Sequence, residues 1–386
     1  MIKKAVLPKQ RVLIFQGGGA LGAFQAGVYD GMNASGLQPD WVIGTSIGAI
    51  NAAIIAGNRP ERRIEYLHEF WARMGQGWFF DPANQASPDG AVASWFGALN
   101  AFNTMAMGLP NFFNPRWGNG FAFGWPVDAG SASLYDSTPL RDTLEELVDF
   151  DYLNDSPVRL SIGAVDVESG KMRYFDSARE PIGASHILAS GALPPAFPAV
   201  EIDGRHYWDG GIHSNTPLEL MLRDNPRRHS LCFLATLWQQ ESRVPTSLPD
   251  VLRRHKELQY ASRAETLISM EQELHRLRHG ISMLAGRLSA EAKSDSDVAH
   301  SIGLGCRSVY HLVRLEAPRL NHESHTKDID FSPSSIEARW LSGKDDMLRA
   351  LAARVWETPV GPEEGVVLHD FSDASRSETT DEGVTA

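Results

Sequence analysis

A serine set between two glycines, Gly44-Thr45-Ser46-Ile47-Gly48, fits the G-x-S-x-G pattern in which a serine stands on a sharp turn between a strand and a helix. Such a serine serves nucleophilic attack on an acyl carbon. Gly44 and Gly48 are needed because a side chain at either position would collide with the neighbouring strand or helix, and the tight turn favours residues tolerant of strained angles. The flanks agree. Trp41-Val42-Ile43 is β-prone, and Ala49 to Ala56 is an apolar, alanine-rich run that predicts a buried helix aiming its N-terminal N–H groups at Ser46. A chance match in a glycine-rich chain is the competing explanation, and two further motifs count against it.

The first is Gly17-Gly18-Gly19-Ala20-Leu21-Gly22, which follows the apolar run Arg11 to Gln16 and opens a helical pattern from Ala23 to Asn33. Strand, glycine loop and helix make an anion-binding architecture. Gly17, Gly19 and Gly22 formally satisfy a dinucleotide fingerprint, but the next strand ends in the serine turn rather than in the acidic residue a nucleotide fold wants. No Gly-Lys-Ser/Thr follows, which excludes a P-loop. The reading that uses both motifs is an oxyanion hole over Gly17, Gly18 and Gly19. The N–H groups of Gly18 and Gly19 would face the oxygen that becomes negative when Ser46 attacks.

The second is Asp209-Gly210-Gly211, at the end of a predicted strand. Asp209 is the candidate base, with Gly210 and Gly211 letting its carboxylate approach Ser46. The competing explanation is a plain Asp-Gly turn. A triad would need a histidine; His213 is the only close one downstream, His206 lies just upstream, and His186 sits on a helical face. None has a triad context, so a Ser-Asp dyad is simpler.

These three motifs, in this order, resemble the patatin-like phospholipase family. Ala189-Ser190-Gly191-Ala192-Leu193-Pro194-Pro195-Ala196-Phe197-Pro198 resembles the family's segment before the acid, and Asn215-Thr216-Pro217 fits the segment after it. The resemblance covers residues 11 to about 240. It implies an α/β fold, a three-layer α/β/α sandwich with a mainly parallel central sheet. It also implies hydrolysis of lipid acyl esters by Ser46 and Asp209, without metal or cofactor. Many family members carry Arg or Lys where this chain has Leu21, and leucine cannot help hold a phosphate. Esters other than phospholipids (a lysolipid, an acylglycerol, a hydroxyacid polyester) therefore stand beside phospholipids as substrates. The rivals from other classes are a nucleotide-binding protein using Gly17–Gly22 and a non-catalytic lipid-binding protein.

The elements that must position these residues follow from periodicity. Glu61 to Met74 predicts a helix with Ile64, Leu67, Phe70 and Trp71 on one face. Residues 75–139 are irregular and rich in Gly, Pro and aromatics; they form either a lid or acyl-binding wall that touches a lipid surface, or a local cluster covering the sheet. Leu140 to Phe150 and Ile182 to Ala192 predict helices. Val158 to Val167, Lys171 to Phe175, Val200 to Ile202, Arg205 to Trp208 and Leu231 to Leu237 predict strands.

Past Gln239 the composition changes, which divides the chain into a catalytic domain over 10–240, a mostly helical C-terminal extension over 241–357 and an acidic disordered tail over 358–386. Leu248 to Leu288 predicts a helix with a stripe of Leu267, Leu274, Leu277, Ile281, Leu284 and Leu288, packed on the core or used for self-association or membrane contact. Val309 to Glu316 reads as a strand. Phe331 to about Leu341 and Lys344 to Trp356 read as two helices. His311, His322 and His325 lack metal-ligand spacing and are expected at the surface. This part resembles an extra domain of unknown function on a bacterial patatin-like subgroup, which implies a bacterial, cytoplasmic protein.

Composition sets the outer limits. A chain of 386 residues with 42% hydrophobic and 22% charged content can bury a large core. A net charge of −12 argues against nucleic acid and against simple attraction to anionic membranes. Cys232 and Cys306 alone offer no disulfide framework, which suits a reducing compartment. Met1 to Gln10 carries Lys3, Lys4 and Lys9 but no apolar core, so no secretory signal is expected, and no apolar run reaches the about 18 residues of a spanning helix. The partners expected are a lipid or other acyl ester, peripheral contact with a lipid surface, and a second copy through the C-terminal helix.

Overall fold

The structure is a computed structural model that describes residues 8–76, 102, 104–118, 127–320 and 325–371. The unbroken apolar run near the N-terminus forms β1 (Gln10–Phe15), followed by the glycine loop, a 3-10 turn and α1 (Ala23–Ala34). Next come β2 (Trp41–Thr45), α2 (Ile47–Ala56) and α3 (Arg63–Met74). A small pair, β3 (Asn114–Pro115) with β4 (Tyr135–Asp136), precedes α4 (Thr138–Leu147) and α5 (Phe150–Asp155). Then follow β5 (Arg159–Asp166), β6 (Met172–Asp176), α6 (Ala184–Ser190), β7 (Val200–Ile202), β8 (Arg205–Asp209), α7 (Leu218–Leu222) and β9 (Ser230–Thr236). The remainder supplies α8 (Leu248–Ala285), α9 (Ala290–Ser294), α10 (Ser296–Gly303), β10 (Tyr310–Glu316), α11 (Pro333–Ala353) and β11 (Val366–Phe371).

The sheet runs β11-β10-β9-β1-β2-β5-β8-β7, with β6 also paired to β5. The first six strands are parallel, and β6, β7 and β8 join antiparallel. Side chains alternate along β1, and the two cores follow that alternation. Leu13 and Phe15 join the core that holds buried residues of α1, α2, α3, α4, α6 and α11, while Val12 and Ile14 join Leu218, Met221 and Ile268 of α7 and α8. The result is the expected three-layer α/β/α sandwich with a mostly helical C-terminal part.

That C-terminal part is built into the sandwich. β10 and β11 extend the sheet, α8 covers one face, and α11 packs on α1. β11 corrects the expectation of a disordered tail over 358–386, because Val366 to Phe371 pair with β10, while 372–386 lie outside the described residues. The α1–α11 contact is backbone to backbone: a Cβ on Gly27 would stand 1.9 Å from the Trp340 carbonyl oxygen, and one on Gly343 2.0 Å from that of Phe24. Asp30 closes the contact by accepting from Trp340 Nε1 and pairing with Lys344, each at 3.0 Å. This packing explains one departure from the sequence reading. Residues 333–353 form a single helix through Gly343 rather than two, because tertiary contact outweighs the roughly 1 kcal/mol glycine penalty.

Two further expectations are corrected. The leucine stripe of α8 is not its buried face, since Leu277 and Leu284 are 59% and 65% exposed. The buried face carries Arg253, Glu257, Ala261, Ala264, Ile268, Glu271, His275 and His279. Partners from elsewhere make that polar face buriable: Lys327 and Arg223 pair with Glu257 and Glu271 at 3.1 and 2.9 Å, and His279 Nε2 meets the Ser308 carbonyl at 2.9 Å. His311 is buried rather than at the surface, because β10 lies between β9 and β11 and its ring stacks on His369.

Candidate active site

β5 has three partners on two edges, and this crowding creates the site. β2 ends with Thr45 opposite Gly163, and β8, running the other way, ends with Asp209 opposite Ala164. β6 overlaps both along the other edge of β5. β2 and β8 therefore meet end to end, and Ser46 and Asp209 come from the two strand ends that face each other.

Ser46 sits at φ 56°, ψ −126°, a region that costs a non-glycine residue about 1–3 kcal/mol. The surroundings hold it there. Its N–H donates to Ser190 Oγ at 3.0 Å, and the Ser190 hydroxyl donates to the Gly163 carbonyl at 2.7 Å. Its carbonyl accepts from the Ala49 and Ile50 N–H groups at the start of α2. The two glycines of the motif act as the sequence predicts: a Cβ on Gly44 would lie 2.3 Å from the Gly48 carbonyl oxygen, and one on Gly48 2.4 Å from that of Phe15.

Asp209 is buried, and its carboxylate accepts hydrogen bonds from the Ser46 hydroxyl and, at 2.7 Å, from the Gly211 N–H. Burial pushes its pKa up to about 6, against the pull of those two hydrogen bonds. Gly210 packs on the Gly163 carbonyl, where a side chain would not fit.

The glycine loop divides its labour. Gly17 anchors the loop, and its N–H is taken up within the protein. That N–H donates to Asn215 Oδ1 at 3.0 Å, Asn215 Nδ2 donates back to the Gly17 carbonyl at 3.1 Å, and Trp238 Nε1 donates to the same carbonyl at 2.8 Å. Gly18 and Gly19 line the pocket, and neither N–H has an acceptor among the described residues. Gly19 has a left-handed φ of 53° and abuts the Asp328 carbonyl. Gly22 packs beneath Ile47 and Trp71.

Ser46, Asp209 and the loop open on a cavity of about 270 Å³. Ile47 and Ile50 of α2 form one side; Met105, Phe112, Phe113 and Tyr135, from the aromatic-rich stretch, form another. The parts of that stretch over 77–101 and 119–126 lie outside the described residues. Tyr260, Asp328, Ile329 and Phe331 complete the cavity from the C-terminal part. Among the described residues no histidine lines it: His213 is exposed, His206 half-buried on β8, and His186 packs against Phe175 with Nδ1 accepting from the Gly183 N–H.

Sequence reasoning did not assign roles to Ser190, Asn215 or Trp238. Ser190 and Asn215 stand in segments that carried the resemblance, which was their only signal. Trp238 had none, because its role depends on where β9 ends relative to the loop.

A strained serine, a buried carboxylate and a glycine loop on an α/β/α sandwich define a hydrolase of the patatin type. A family model described as Patatin-like phospholipase matches residues 13–222, and a second, described as Patatin phospholipase, matches residues 258–363. The chain belongs to the patatin-like phospholipase family, a family of lipid hydrolases. No curated protein matches it. Among solved structures, VipD from Legionella pneumophila is similar at 14% identity and a TM-score of 0.42, with 90% of this chain and 67% of that one covered. ExoU, in its complex with SpcU from the type III secretion system of Pseudomonas aeruginosa, is similar at 17% identity and a TM-score of 0.27. That match covers 78% of this chain and 57% of the ExoU chain.

Proposed function

We propose that this protein hydrolyses lipid acyl esters through a Ser46–Asp209 dyad and a covalent acyl-enzyme. The observation that carries the reading is the hydrogen bond from the Ser46 hydroxyl to a buried carboxylate, next to two N–H groups with no acceptor among the described residues. Asp209 takes the hydroxyl proton as Ser46 Oγ attacks the ester carbonyl carbon. The carbonyl oxygen becomes negative beside the Gly18 and Gly19 N–H groups. Collapse breaks the ester C–O bond, and the alcohol leaves with the proton held by Asp209. Water then gives a proton to Asp209 and attacks the acyl-enzyme, freeing the fatty acid and returning the proton to Ser46. A pKa near 6 makes Asp209 a stronger base than a free aspartate while leaving it ionised at neutral pH.

A neutral ester is the second reading within this class. Among the described residues the charged side chains lining the cavity are Asp209 and Asp328, both acidic, and Leu21 is buried. An anionic head group gains nothing from such a lining. Met105, which lines the cavity, is 46% exposed, and Phe102, Met107 and Trp117 of the same stretch are about two-thirds exposed. These residues support peripheral contact with a lipid surface. No helix among the described residues is long and apolar enough to cross a membrane.

The test is labelling by a fluorophosphonate probe, comparing wild type with Ser46→Ala and Asp209→Asn in the presence and absence of lipid micelles. Labelling of wild type alone, blocked by lipid esters, is the expected result. Labelling that survives Ser46→Ala would remove the dyad.

A further inference from the structure

The catalytic cavity, at about 270 Å³, lies just below the roughly 300–1,000 Å³ usual for ligand pockets. A second, larger cavity of about 560 Å³ lies between α3 and α11 and is lined by Trp71, Pro333, Ile336, Trp340 and Leu341, with His68, Asp30, Glu337 and Lys344 at its polar rim. Two rings separate them. Phe331 lines the first cavity, Trp71 lines the second, and the rings stack on each other with centroids 6.4 Å apart and planes 23° from parallel. Trp71 is fixed from behind, because its Nε1 donates to Asn51 Oδ1 at 3.1 Å. Phe331 is fixed by its own segment. The Lys327–Ile329 turn just before it is tied to α8 through Lys327–Glu257 at 3.1 Å and Lys256–Asp328 at 2.9 Å.

We propose that Phe331 sets the length of acyl chain this protein accepts, by closing the catalytic cavity against the groove between α3 and α11. The inference deepens the acyl-hydrolase reading and rests on it. An acyl chain entering between Ile47, Ile50 and Phe112 meets the Phe331 ring at the far wall. Replacing the Phe331 ring with a methyl group removes one of the two stacked rings that separate the spaces. The groove beyond it is apolar on its inner side, so methylenes that now have no room would find cover there. Each buried methylene strengthens binding about fourfold.

The experiment measures binding rather than turnover, so that it stands apart from the catalytic reading. In a Ser46→Ala background, saturated fatty acids of about six to about eighteen carbons displace a fluorescent reporter from the folded full-length protein, a span over which each added methylene is worth about 0.8 kcal/mol if buried. With Phe331 in place, affinity rises with length and then levels off. Phe331→Ala moves the plateau to longer chains, improving the longest acids by about tenfold or more over the shortest, and Phe331→Leu gives an intermediate plateau. The Leu variant serves if the Ala variant fails to fold. Plateaus at the same length in a folded variant and its Phe331 parent overturn the proposal. Failure of the catalytic reading shows separately, as wild-type turnover that does not depend on Ser46.

Discussion

Thr45 and Asp209 face successive residues of β5, Gly163 and Ala164, although they arrive on strands that run in opposite directions. Each ends its strand where the other begins to compete for the same edge of β5. The next residue after Thr45 is the strained serine, and the last residue of β8 is its hydrogen-bond acceptor. Strand register thus fixes the serine–aspartate distance, while no flexible loop lies between either residue and the sheet.

With Asp209 as the proposed base, hydrolysis depends on pH. kcat/KM is expected to fall tenfold per pH unit below about 6, where Asp209 takes up a proton, and to be level from about 7 to 8. A profile with its acid limb near 4 would show that burial does not raise the pKa of the group that limits the rate.

Stability carries the same signature with a defined sign. Burial raises the folded pKa of Asp209 to about 6, above the about 3.9 of the unfolded chain, so folding favours the protonated form. Its contribution is fully favourable below pH 4 and is lost as pH rises through 6. Asp209→Asn is therefore expected to be more stable than wild type by roughly 3 kcal/mol at pH 8 and nearly equal at pH 4, while losing most activity. Urea unfolding at both pH values measures the difference; a gap that widens at low pH would contradict it.

Ser190 holds the serine turn without touching the reaction. Ser190→Ala leaves the Ser46 N–H and the Gly163 carbonyl without their bridge, at a cost of about 1–3 kcal/mol. The expected outcome is a kcat lowered by one to two orders of magnitude with KM nearly unchanged, about the same energy expressed in the barrier. Steady-state kinetics on a soluble ester separates this from a merely looser pocket, which would raise KM.

Asn215 holds the loop. Asn215→Ala frees the Gly17 N–H and half-frees its carbonyl, which keeps only Trp238. Labelling of Ser46 by a fluorophosphonate is expected to slow by about tenfold or more, since the donors at Gly18 and Gly19 lose their fixed aim. Asn215→Asp keeps the acceptor for the Gly17 N–H and should recover part of the rate. Equal rates in all three proteins would show that the loop is positioned by other contacts.

Gly343 tests whether the C-terminal helix and the first helix are one structural unit. Even a methyl group there meets the Phe24 carbonyl, so Gly343→Ala is expected to lower stability by about 1–3 kcal/mol despite alanine's better helix propensity. A stabilised variant in urea would mean that α1 and α11 move apart at no cost.

The sequence alone determined the local chemistry. Gly44, Ser46 and Gly48 specify a serine turn because only small residues let a strand and a helix approach so closely, and that constraint lies within a few residues of chain. The apolar runs named the strands for the same local reason, and ordered motifs named the family. What only the tertiary structure decided were relations between distant segments. Gly17 is held by Asn215, far along the chain. The buried face of α8 is polar because Lys327, Arg223 and Ser308 come to meet it, a match that periodicity within one helix does not contain. The helix break at Gly343 vanished because Phe24 packs there. Local sterics are written in neighbouring residues; hydrogen-bond partners, burial and pocket walls come from chain closure, which brings residues 328–331 to a serine at position 46.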